Sequence, residues 1–125
     1  MPRVTLVMAA GPGFPQGSTE HRYEVDVALD PTGNLDVAAW LADPDPWPAR
    51  RVWPREPERS GDVQHDQAGG WSLRFFPAPG EAGDAPLHDL LRAPGPMRPG
   101  EYLTIREPDG REYSFRIVSV ATEAG

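Results

Sequence analysis

The sequence predicts a mainly β fold: a small antiparallel barrel or sandwich of about seven or eight short strands with one short helix. Three observations predict it. Apolar residues fall in short runs that alternate with polar ones, the period of a half-buried strand. Turn chemistry recurs at intervals of ~8–12 residues. The 16 prolines and 13 glycines break the chain before any long helix can form. A length of 125 residues suits one domain with one core. The expected domain covers 1–120, followed by a flexible tail at 121–125.

Val4-Thr5-Leu6-Val7-Met8 opens the chain as a strand. GPGFPQGST, residues 11–19, reads as a loop from its glycines and prolines. HRYEVDVAL, residues 21–29, alternates Tyr23, Val25, Val27 and Leu29 with polar neighbours, so one face of a strand is wet. Asp30-Pro31-Thr32-Gly33 is a turn. LDVAAWLAD, residues 35–43, fits either a strand or a helical turn capped by Asp36; the hairpin-like turn before it favours the strand. Residues 54–60 are charged and proline-broken, hence loop.

Asp62 to His65 and Trp71 to Phe76 read as strands around DQAGG. PAPGEAGDAP, residues 77–86, reads as a flexible excursion. PLHDLLR, residues 86–92, fits the one short helix, with Pro86 at a tolerated first position and Leu87, Leu90 and Leu91 as its stripe. Glu101–Glu107 and Arg111–Val120 flank Pro108-Asp109-Gly110, the clearest hairpin in the chain.

Composition removes many chemistries. The chain has no cysteine, which excludes disulfides, thiolate nucleophiles and cysteine-bound metals. It has no lysine either, all 12 basic residues being arginine, which excludes Schiff bases, serine–lysine dyads and lysine-type phosphate loops. The net charge of −7 argues against nucleic acid and anionic membranes. Gly11, Gly13 and Gly17 miss the dinucleotide spacing, and no serine sits in a nucleophile elbow. No cofactor motif is present. The N-terminal apolar stretch is only faintly like a signal peptide, so a cytoplasmic location is expected. Abundant arginine, alanine, proline and glycine suggest a GC-rich bacterial genome.

DPDPWPARRVWP, residues 43–54, carries the sharpest functional question. Its prolines exclude an α-helix. Trp47 and Trp53 are six residues apart, a multiple of the strand and polyproline II periods alike. Either extended form puts both indoles on one side, with Arg50 or Arg51 beside them. Such an edge can grip a peptide, a sugar or a base. It can equally lie as a strap across an open barrel end, both rings turned inward as plugs, and the composition favours that reading. A mixed case buries Trp53 and leaves Trp47 more exposed.

His65-Asp66 and His88-Asp89 supply metal-type ligands. Adjacent strand residues face opposite ways, so neither dipeptide readily gives two ligands. The function expected is a non-enzymatic binding or adaptor module for a protein or peptide partner, using Trp47, Arg50, Arg51 and Trp53, by strand addition. The competing expectations are a small metal-dependent hydrolase using His65, Asp66, His88 and Asp89, and a structural component of a larger, phage-like assembly.

Overall fold

The structure is a computed structural model that describes residues 1–11, 13–68, 70–77, 87–92 and 94–122. Eight antiparallel strands follow one another around a closed barrel: β1 (Pro2–Met8), β2 (Ser18–Asp26), β3 (Pro48–Val52), β4 (Arg59–Asp66), β5 (Gly70–Phe75), β6 (Leu87–Arg92), β7 (Tyr102–Arg106) and β8 (Glu112–Thr122). The barrel alternative of the sequence reading is therefore the correct one. β1 pairs with both β2 and β8, its register shifting at Val7/Met8 against β2 and at Thr5/Leu6 against β8. Such irregularities bend a strand and help a sheet curl shut.

Alternation places the core. Val4 and Leu6 from β1, Tyr23 and Val25 from β2, Leu73 and Phe75 from β5, and Phe115 and Ile117 from β8 all face inward and are buried. An eight-stranded barrel is just wide enough for side chains to fill. Only about 10 Å³ remains among the inward apolar side chains, about the space one water needs. Where β4 meets β5 the backbones close tightly: a Cβ on Gly61 would lie 1.7 Å from the Arg74 carbonyl oxygen, so only glycine fits.

Two local assignments differ from the sequence reading. Residues 87–92 form β6, not a helix. Its inward positions carry Asp89 and Leu91, while Leu90 points outward and is exposed. A polar residue inside and an apolar one outside hide the period of two, and the three leucines then mimic a helical stripe. The one helix among the described residues is instead α1 (Val37–Ala42), where a strand was favoured. Asp36 caps it, its Oδ1 accepting from the Ala39 N–H at 3.0 Å, and Pro44 stands two residues beyond its end.

Boundaries shift as well. β4 begins at Arg59, inside the expected 54–60 loop, and β8 runs through Ala121 to Thr122, inside the expected tail. The remainder of that tail, and most of the 77–86 excursion, lie outside the described residues.

The lower end of the barrel is sealed. Leu35 and Met97 are buried there, and the Met97 N–H donates to the Gly33 carbonyl at 2.8 Å. The Asp30 carboxylate holds the preceding turn by accepting from the Thr32 and Asn34 N–H groups.

Candidate functional sites at the two ends of the barrel

The 43–54 segment is a stave of the wall. β3 is paired with β2 on one side and β4 on the other, so it is no strap and offers no open edge for strand addition. Extended geometry does put Trp47 and Trp53 on one side, and that side is the barrel interior: Trp47, Ala49 and Arg51 are all buried. Because β3 runs between them, the indoles sit at opposite ends, about 20 Å apart along the strand. The mixed case is reversed: Trp47 is fully buried at 0% exposure, and Trp53 is the partly exposed ring.

At the lower end, Trp47 stacks on Trp71 with centroids 5.9 Å apart and planes 13° from parallel. Trp40 of α1 meets Trp71 edge-on at 6.3 Å. Both of these indoles are satisfied: Trp47 Nε1 donates to Asp43 Oδ2 at 2.9 Å, and Trp40 Nε1 to the Val63 carbonyl at 3.0 Å. This ring cluster carries α1 on its outer side. α1 reads VAAWLA, with no polar side chain, yet none of its residues is buried. Leu41 is 68% exposed and Val37 is exposed beside it. Pro44, Asp45 and Pro46 continue the surface, and with Trp40 and Val63 they bound a shallow cleft of about 300 Å³. Asp43 stiffens its rim, Oδ1 accepting from the Asp45 N–H at 3.0 Å.

The upper mouth is polar. Arg51 reaches it from β3 with only 7% exposure. Its guanidinium donates to Glu107 at 2.7 Å and to Glu56 at 3.1 Å, and its Nε lies 3.8 Å from Asp89 Oδ2. The same guanidinium lies over the Trp53 ring, 3.8 Å from its centroid. Trp53 in turn packs edge-on against His21 and Tyr113, while its Nε1 is buried with no hydrogen-bond partner among the described residues. Asp89 is 2% exposed, and Tyr23 donates its hydroxyl to Oδ2 at 2.5 Å. Burial pushes the Asp89 carboxyl up to about 6, against the lowering effect of the Tyr23 hydrogen bond and the Arg51 charge. Burial, with Asp89 adding to it, likewise raises the Tyr23 phenol well above its ordinary value, so it stays a donor. A cavity of about 200 Å³ opens onto Arg51, Asp89, Glu107 and Phe75.

The four residues expected to bind a partner thus part company. Trp47 is core at the lower end. Arg50 lies on the outer wall, paired with Glu24 at 3.1 Å and Glu58 at 2.8 Å. Arg51 and Trp53 meet at the upper mouth.

The expected metal set is not assembled. His65 packs against Trp71 at 4.6 Å near the lower end, and Asp66 is exposed beside it. His88 is outside the barrel and Asp89 inside, as strand alternation requires. His65 and His88 border one groove on the wall, but no group of three metal-ligating side chains occurs among the described residues.

Sequence reasoning missed Tyr23, Asp89 and Glu107 as one network, and α1 as a surface. An aspartate at an inward strand position was the available signal for the first. The polar-free run VAAWLA was the signal for the second. Compared with protein-family models, curated proteins and solved structures, the chain finds no match in any of the three.

Proposed function

We propose that this protein is a non-enzymatic binding module that docks an apolar, basic segment of a partner protein on α1 and the adjoining residues 43–46. The exposed end of the 43–54 segment is the part that serves this reading; the rest of it builds the wall.

One observation carries it. α1 is apolar throughout, and while Ala39 and Trp40 pack on the core, its outer face is uncovered, with Val37 exposed and Leu41 at 68% exposure. Nothing in the fold requires apolar residues at the outer positions Val37 and Leu41. An exposed helix position is served as well or better by glutamate, glutamine or arginine, and contiguous exposed apolar surface on such a small domain marks an interaction site. The surface is also held in advance. Pro44 and Pro46 fix backbone torsions, and Asp43 ties down both Asp45 and Trp47. A pre-ordered surface loses little entropy on binding.

Charge selects the partner. Asp36, Asp43 and Asp45 rim the apolar patch, and the whole chain carries −7. A second copy docked on the same patch would set these carboxylates against their own images, which is repulsive. A partner segment with arginine or lysine beside leucine or phenylalanine meets both features.

The test is a nitrogen-15 NMR titration with a short peptide of alternating leucine and arginine, and with its leucine–glutamate counterpart. The reading expects saturable shifts at Val37, Trp40 and Leu41 with the basic peptide alone, abolished by Leu41→Asp. Shifts with neither peptide, equal shifts with both, or a dimer by light scattering would overturn it.

A further inference from the structure

The polar mouth at the other end of the barrel does nothing for the docking surface, and it is costly to build. A buried arginine and a buried aspartate must each be taken out of water, and a buried ion network often stabilises no better than apolar packing would. The inward positions 51 and 89 lie in a barrel whose buried lining is mostly aliphatic and aromatic. A fold needs neither charge there.

We propose that this mouth is a binding site for a small organic cation, an alkylammonium or guanidinium group, received by Asp89 and Glu107 over the Phe75 ring.

The first argument is an unfilled acceptor. Asp89 Oδ2 takes the Tyr23 hydroxyl, but Oδ1 receives no hydrogen bond among the described residues. The residue is 2% exposed and borders the cavity, so Oδ1 has the cavity as its open side. Oδ1 is not among the fully buried unpaired atoms, so it is open to the cavity, where it can accept a ligand N–H.

The second argument is the charge of the lining. Glu56, Asp89, Glu107 and Asp109 stand around the cavity against Arg51 and Arg59. With all ionised the acids are in excess. Arg51 is not free to take an anion, because Glu56 and Glu107 hold its two terminal nitrogens and Trp53 supports its face. An anionic ligand would have to displace a carboxylate that is already paired.

The third argument is size and floor. About 200 Å³ is well short of the ~300–1,000 Å³ of drug-sized pockets. It accommodates a small amine or guanidine and little more. Phe75 contributes an aromatic lining, which attracts a cation through its ring quadrupole.

Binding strengthens with pH. The cation needs ionised Asp89, whose carboxyl titrates at about 6, faced by Tyr23 from β2, Arg51 from β3, Arg59 from β4 and Glu107 from the β7–β8 turn. Affinity therefore rises as pH passes upward through that value and levels off above it.

The experiment titrates the whole chain with n-butylammonium chloride, methylguanidinium chloride and sodium acetate at pH 5 and pH 8, read by NMR. The expected result is saturable shifts at Arg51, Phe75 and Glu107 with the two cations, at least about tenfold weaker at pH 5, and none with acetate. Asp89→Asn keeps an acceptor for Tyr23 and should weaken binding at least about tenfold, the scale of one lost charge-assisted hydrogen bond. Glu56→Gln, at a more exposed position, should weaken it by a smaller factor and settles the matter should Asp89→Asn fail to fold. No saturable shift, saturation by acetate, or unchanged affinity in the folded variants overturns the proposal. None of these variants touches α1, so the leucine–arginine peptide result stands or falls separately.

Discussion

Tyr23 donates its phenolic hydroxyl to Asp89 across the barrel interior at 2.5 Å, joining β2 to β6 through the core. Both groups are buried, and the same Asp89 oxygen lies 3.8 Å from Arg51 Nε. That pairing sets how the protein should respond to pH and to substitution.

The Asp89 carboxyl titrates at about 6 when folded and near 3.8 in an unfolded chain. Between those values the folded state holds a proton that the unfolded chain has released. The contribution of protonated Asp89 is complete below about 3.8 and is lost as pH rises toward 6. At ~1.4 kcal/mol per pKa unit, this is about 3 kcal/mol. His21 works the other way: burial, helped by Arg51, lowers its pKa, so its share is lost as pH falls. Urea denaturation of the wild type and Asp89→Asn isolates the carboxyl. The stability of the wild type relative to the variant should decline by about 3 kcal/mol from pH 3.5 to 7; a rise would contradict the assignment.

Tyr23→Phe removes the only hydroxyl on Oδ2 without changing shape. It should cost about 1–3 kcal/mol, the penalty of an unmet buried acceptor. The Tyr23 hydrogen bond favours the ionised acid, so Asp89 in the variant should titrate higher than about 6. Carbon-13 shifts of the aspartate carboxyls report both states directly.

Trp47→Ala and Leu41→Asp should behave oppositely although both residues lie at the lower end. Trp47 is fully buried and stacked on Trp71, so its loss should cost about 3–5 kcal/mol. Leu41 is mostly in water, and its replacement should shift stability by less than about 0.5 kcal/mol while removing peptide binding. Thermal melts of the two variants make the comparison.

Gly61→Ala should be severe. The new methyl would fall on the Arg74 carbonyl, which is backbone and cannot swing away. A cost of about 3 kcal/mol or more is expected, at the upper end for overpacked cores. Chemical denaturation checks it, and a near-neutral result would mean that β4 and β5 separate more easily than their register implies.

Much of the barrel was legible because most staves obey alternation. Tyr23, Val25, Leu73, Phe75, Phe115 and Ile117 all point where a period of two sends them. The failures cluster where a residue breaks that rule for another purpose. Asp89 inside and Leu90 outside disguised β6. Arg51 inside disguised the function of β3, since a charged residue beside a tryptophan reads as surface. The partners that make those choices tolerable, Tyr23 and Glu107, are distant in sequence and adjacent only after closure. α1 was weighed against a strand on the strength of the preceding turn, and the Asp36 cap decided otherwise.

The register that joins Pro2 to Thr122 has a kinetic side. Pairing the first strand with the last closes the longest loop in the fold, so local hairpins are expected to form faster and the barrel to shut late. Until then β1 and β8 each present bare amide and carbonyl groups to any similar chain nearby. Two copies caught at that stage can complete one another by exchanging β8, which makes slow, dilute refolding the favourable regime and concentrated refolding the route to swapped dimers.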